Sequence, residues 1–295
     1  MRTIAAYVET DVFQVTDASR TRLLESSIAL VENLRRCNGG HNGRAEQYSP
    51  DFQVCLPYRG FFVWHVAGDD VAADSNQVLF VSGGEPFRVS EPVPGGYAEL
   101  IVTPVPAVLA EIADATEAEL PAHPLFQRRS RRADPRLQLL RARFLHRAVC
   151  RDWDDLCAEE FVIALLRTAL VSDGTTPPVS ASTRRLIRRT KEFLGANLSQ
   201  RLRLADVGAA VGASPAYLTD VFRRVEGVPL HQYLTQLRLA RALVELPGAN
   251  DLTTLAFDLG FASHSHFAAT FRRIFGCTPS HFRGSARRVN PLLTA

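Results

Sequence analysis

The sequence predicts a chain of mixed α and β structure: a small N-terminal β-barrel with helices behind it, then an all-α domain of two helix-turn-helix units joined by a linker helix. Three observations predict it. A helix-Gly-Ser-helix pattern occurs twice near the C-terminus. The stretch from Phe52 to about Val108 is made of short β-branched and aromatic runs separated by Gly and Pro. Charge also divides the chain: residues 181–295 hold 16 basic and 7 acidic residues (+9), and the first 180 hold 18 and 24 (−6), which sum to the net +3. A basic C-terminal part suits a polyanion, and an acidic N-terminal part does not.

From the N-terminus, Met1–Thr10 has no apolar stretch, so no secretory signal is expected. The apolar runs, such as Phe161–Leu166, fall far short of the ~20 residues of a membrane span. The expectation is a cytoplasmic protein that does not engage a membrane. Cys37, Cys55, Cys150, Cys157 and Cys277 are odd in number and widely spaced, which points to reduced, mostly buried thiols.

The segment Ile28–Cys37 fits a strand or a helix, and the strand is preferred. The runs 52–56, 60–66, 77–81 and 98–102 read as strands of a small barrel. Such a barrel has room for one small ligand. Phe62 and Trp64 would supply its apolar wall, and Arg59 and Arg88 would fix an acidic or polar group; equally, the aromatics would simply fill the barrel. Arg136–Cys150 and Asp154–Val171 carry apolar residues three and four apart and read as helices. Their apolar stripe exceeds what the barrel needs, so they are expected to pair with a second subunit in a homodimer. The nine arginines between Arg128 and Arg151 read as a solvated helix face, or as a patch for DNA or a ligand phosphate. Ser172–Ser182 has linker composition.

The repeat follows. Leu204–Gly227 and Leu252–Gly276 each hold a short helix, a turn glycine (Gly212, Gly260), a Ser N-cap (Ser214, Ser263), a second helix with Phe-Arg-Arg, and a C-cap glycine. In each second helix the large apolar residues share one side, while Ala216, Asp220 and Arg223, and Ser265, Ala269 and Arg272, fall opposite. Small or polar outward residues let a helix approach base edges. Between the copies, Leu230–Leu246 forms a strut of roughly 25 Å at ~1.5 Å per residue, against ~34 Å between successive major grooves.

Leu255-Ala256 through Gly260-Phe261, Ser265-His266-Phe267, Phe271-Arg272-Arg273, Gly276-Cys277-Thr278-Pro279 and Phe282-Arg283 resemble the signature of the AraC/XylS family of bacterial transcription regulators. Tyr233-Leu234 and Arg238–Ala242 match its linker helix. His266 stands where the family usually has Tyr, and Gly208 where it usually has Ala, at an expected cost of ~1 kcal/mol to that helix. Leu56–Phe62 and Val78–Ser90 look like the family's cupin-type sensor domain.

The resemblance implies double-stranded DNA as partner, with Ala216, Thr219, Asp220, His264, Ser265, Ala268 and Ala269 facing bases and Ser214, Arg223, Arg224, Ser263, Arg272 and Arg273 on phosphates. It also implies a small-molecule effector and contact with RNA polymerase. The expected division is 1–127 (sensor), 128–171 (helical dimerisation segment), 172–182 (linker) and 183–288 (DNA-binding domain, with helix-turn-helix units 204–225 and 252–275).

Enzyme readings find little to stand on. His41, His65 and His123 make no His-x-His pair for a cupin metal, and His264 and His266, two apart on a helix, do not share a face. No cysteine sits in the basic, metal-bound setting that a repair methyltransferase needs. No catalytic residue, metal or cofactor is expected.

Overall fold

A computed structural model describes residues 18–37, 46–117, 119–120, 128–150, 154–170 and 179–289. The N-terminal decapeptide, His41, His123 and most of the proposed linker (171–178) lie outside the described residues.

Among the described residues, nine strands form two antiparallel sheets. The larger runs in the order β1 (Ala18–Glu25), β2 (Ala29–Arg36), β8 (Tyr97–Pro104), β3 (Gln53–Arg59), β6 (Gln77–Val81), β9 (Ser130–Arg132). The smaller is β5 (Asp69–Ala73), β4 (Phe62–Val66), β7 (Phe87–Ser90). Strand alternation gives the larger sheet two apolar faces. Val54, Leu56, Val78, Phe80, Leu100 and Val102 face one core; Cys55, Leu79, Val81, Tyr97 and Ile101 face another, shared with Phe62, Trp64 and Val89 of the smaller sheet.

The expected barrel is therefore present only as two stacked open sheets. One face of the larger sheet is taken by helices, and its edge strands β1 and β9 do not pair with the smaller sheet. The preferred strand at 28–37 is β2.

The helices on that face are α1 (Pro106–Ala113), α2 (Pro135–Cys150) and α3 (Asp155–Leu170). Leu137 and Phe144 of α2, with Val162, Leu165, Leu166 and Ala169 of α3, are buried against the sheet of their own chain. Most of the apolar stripe is thus taken up within the chain, while Leu156 at the start of α3 stays 68% exposed. The arginines around α2 are also inward-turned in part. Arg131 donates to the carbonyl oxygens of Thr168 and Ala169, buried Arg141 donates to the Pro57 carbonyl, Arg129 pairs with Glu85, and Arg147 lies over the Phe161 ring. A wholly solvated face therefore does not describe these four, while Arg136 and Arg143 stay exposed. Of the cysteines, Cys55 is buried, Cys37 is exposed and the other three are intermediate.

The α-helices that follow are α4 (Ala181–Ala196), α5 (Leu204–Val211), α6 (Pro215–Glu226), α7 (Leu230–Glu245), α8 (Leu252–Asp258), α9 (His264–Phe275) and α10 (Pro279–Val289). No helix of the described residues is long and apolar enough to cross a membrane.

α7 is the axis of this half. Leu230, Tyr233, Leu234 and Leu237 enter the core of the first helical unit, and Leu239, Ala242 and Leu243 enter that of the second. α2 packs on α7, α9 and α10, so the second unit rests against the sheet domain's own helix.

A polar cluster joins the sheets to α4, α6 and α7. Tyr233 Oη donates to Asp74 Oδ2 at 2.7 Å, and Asn76 Nδ2 donates to the Tyr233 carbonyl at 3.1 Å. Gln77 Nε2 reaches Glu226 Oε2 at 3.3 Å, and Lys191 Nζ pairs with Glu226 Oε1 at 2.8 Å beneath the Tyr233 ring. Burial pushes the Asp74 carboxyl up, with Lys191 opposing. At the exposed margin, Arg184 pairs with Asp69 at 2.6 Å and Arg188 approaches Asp70 at 3.8 Å. The opposite charges of the two halves thus meet, in part, across this contact.

Candidate nucleic-acid interface

Each helix-turn-helix is built by the same local devices. Gly212 and Gly260 close the turns with φ of +71° and +81°, the left-handed region that glycine enters without a Cβ clash. At Gly260 a Cβ would also lie 2.8 Å from Arg238 Nη2 and 2.9 Å from the Ser199 carbonyl oxygen. Ser214 Oγ accepts from the Tyr217 N–H, and Ser263 Oγ from the His266 N–H, capping α6 and α9. Gly227 and Gly276, both left-handed, end them. Gly208, expected only to weaken α5, has a packing reason. A Cβ there would sit 2.7 Å from the Ala213 carbonyl oxygen, so the residue lets the turn fold close over its helix.

Burial sorts the two second helices into faces. Leu218, Val221 and Phe222 of α6, and Phe267, Thr270, Phe271 and Phe275 of α9, are buried. On α6, Ala216, Asp220, Arg223 and Arg224 are exposed and Thr219 is half-buried. On α9, Ser265, Ala269, Arg272 and Arg273 are exposed, while His264 and Ala268 are half-buried. Every base-facing or phosphate-facing candidate on these helices therefore lies outside the buried core.

Two details go beyond the sequence reading. Thr219 Oγ1 donates back to the carbonyls of Pro215 and Ala216, so its hydroxyl is oriented by the helix itself. Arg224 pairs with Asp220 one turn away, joining a base-facing and a phosphate-facing candidate. Both partners are well exposed, and such a pair is weak enough to exchange for a phosphate.

Two further exposed side chains on the same helices are absent from the DNA-contact residues expected from the sequence. Tyr217, on the first turn of α6, is a large exposed aromatic. His266 occupies the equivalent place on α9 and packs edge-on against Phe261. Their position three residues after each Ser cap was the available signal.

The sheet-domain candidates separate. Phe62 and Trp64 line a cavity between the two sheets. Arg88 does not, because it alternates with Phe87 and Val89 and is exposed on the other face of β7. Arg59 lies at a different cleft, beside Asp74 and α7.

Residues 207–285 match the family described as a helix-turn-helix domain. Regulatory protein SoxS of Salmonella typhimurium is 35% identical over 103 residues, which make up 35% of this chain and 96% of SoxS. This chain belongs to the AraC-type helix-turn-helix family.

A second relative, the HTH-type transcriptional activator AarP of Providencia stuartii, is 33% identical over 102 residues, 34% of this chain and 76% of AarP. Among solved structures, a regulator from Chromobacterium violaceum described as carrying an AraC-type DNA-binding domain aligns at 27% identity. It covers 36% of this chain and 96% of that one, with a TM-score of 0.34. By its family the chain is a DNA-binding transcription regulator of the AraC type, and the family match runs from within α5 to within α10, leaving the sheets outside it.

Proposed function

We propose that α6 and α9 enter successive major grooves of one operator and that the sheet domain adjusts this binding in response to a small molecule. The observation that carries the first part is α7, whose two ends are rooted in the two helix-turn-helix cores. A shared rigid helix fixes the separation of the two recognition helices. In this reading Ala216, Thr219, Asp220, His264, Ser265, Ala268 and Ala269 face bases. Thr219 and Asp220 carry hydrogen-bonding groups, the latter able to accept from cytosine N4. Ser214, Ser263, Arg223, Arg224, Arg272 and Arg273 hold phosphates. The sensor role is assigned to residues 1–127 and DNA binding to 183–288. The buried Asp74–Tyr233 and Gln77–Glu226 contacts supply a physical path between them. An effector acts only so far as it prefers one arrangement of that contact over another.

The test of the DNA-binding geometry is the double substitution Arg272→Ala with Arg273→Ala. Affinity should fall similarly for all DNA sequences, and the slope of log K against log salt should shrink by about one unit per lost phosphate contact. An unchanged slope removes these arginines from the interface.

A further inference from the structure

The cavity between the two sheets has a volume of about 150 Å³, a size that accepts a benzene-sized ring. In the surrounding core Phe62 and Tyr97 pack with rings tilted by 35° at 4.3 Å between ring centres, and Trp64 meets Phe87 edge-on at 6.0 Å. Arg20, Gln47, Ser49 and Gln53 also line it, and two further lining residues each carry a buried polar atom without a partner. Glu99, on β8 between Tyr97 and Ile101, is 7% exposed, and its Oε2 has no hydrogen-bond partner among the described residues. Trp64 is 2% exposed, and its Nε1 likewise has none. A buried acceptor and a buried donor left without partners are costly and uncommon in native proteins. Here both line the same cavity. The nearby cation, Arg20, is already held by Glu32 at 2.6 Å and is half exposed.

We infer that this cavity binds a small one-ring amine, whose ammonium group meets the Glu99 carboxylate and whose ring hydroxyl, where it carries one, accepts through its oxygen from Trp64 Nε1. The inference rests on the sensor reading above and gives that sensor a ligand class. A carboxylate ringed by aromatic faces suits a cation twice over, through the charge and through the negative ring faces. An anionic ligand would meet Glu99 as a like charge.

The groups facing Glu99 set how pH enters. They are Arg20 on β1, Glu32 on β2, Cys55 on β3 and Tyr97 on β8, with Arg36 and Glu91 beyond Tyr97. Burial pushes the Glu99 carboxyl up to about 7, with Arg20 opposing, while burial raises the Cys55 thiol and the Tyr97 phenol, which stay neutral near pH 7. Amine binding therefore strengthens by about tenfold from pH 6 to pH 8 as the carboxylate forms.

The test is calorimetric titration of the full chain with 4-(aminomethyl)phenol, benzylamine, 4-methylphenol and 4-hydroxybenzoate. The first should bind at least tenfold tighter than 4-methylphenol, and 4-hydroxybenzoate should bind weakest. Glu99→Gln should abolish the advantage of the amine. Trp64→Phe should abolish the advantage of 4-(aminomethyl)phenol over benzylamine while benzylamine still binds. Equal or tighter binding of 4-methylphenol or 4-hydroxybenzoate, or no amine binding at millimolar concentration, overturns the inference. The comparison among ligands on the unaltered chain decides even if a variant does not fold. Affinity for a DNA fragment selected from random sequence by the full chain is measured alongside. Amine binding that leaves DNA affinity unchanged keeps the site and overturns the sensor reading instead.

Discussion

Replacing Lys191 with alanine is expected to lower stability by about 3–5 kcal/mol, because it leaves the Glu226 carboxylate buried without its cation. The two side chains are 6% and 8% exposed and 2.8 Å apart. Glu226 ends α6, so the loss falls on the first recognition helix and on the sheet contact through Gln77. The paired change Lys191→Met with Glu226→Leu removes both charges and should recover most of the loss, since a buried ion pair and a well-packed apolar pair are often close in free energy. Denaturant unfolding of the single and paired variants measures this. Equal destabilisation by both would show that packing of the long side chains, not the charge, holds the joint.

Glu99 should show the second large effect, with the opposite sign. Its carboxyl is raised from the ordinary 4.5 to about 7 by burial. Between those values the folded chain holds a proton that the unfolded chain has released, so stability falls as pH rises from about 4.5 to about 7. The penalty is complete above pH 7 and amounts to about 3 kcal/mol, from roughly 1.4 kcal/mol per unit. Glu99→Gln does not titrate. At pH 8 it should be more stable than the unaltered chain by about that amount, and the gap should close toward pH 4.5. Thermal or denaturant unfolding across this range reads it; a gap independent of pH means that the carboxyl is not ionising in place. A side chain that destabilises its own fold is the pattern expected where function, not stability, retains it.

The helix-turn-helix half was legible because its signals are local. A turn glycine, a Ser cap and the spacing of large apolar residues all act within a few positions, and Gly212, Ser214, Gly260 and Ser263 do what such residues do in any helix pair. The strands were legible as strands for the same reason. Their assembly was not, because β8 inserts between β2 and β3 and the pairing is decided across long separations. The joint between the halves was least legible of all, since Asp74 and Tyr233 are 159 residues apart. Of the four residues chosen for an effector, Phe62 and Trp64 line the cavity, whereas Arg59 and Arg88 lie elsewhere and the charged groups at the cavity are Arg20 and Glu99. The alternation Phe87-Arg88-Val89 already put Arg88 on the opposite side of its strand from two apolar residues. Glu99, inside an apolar strand run, broke the pattern in the other direction.

Lys191 is the only lysine in 295 residues, and it is enclosed where the two halves of the chain meet. Apart from the amino terminus, the chain therefore has a single amine for acylating reagents to find, and reagent can reach it only when that joint opens. The rate of acylation at this one position is a clock for opening, with no engineered label needed. Slow modification that quickens or slows when DNA or a small amine is added would time the communication between the halves directly, on the chain as nature made it.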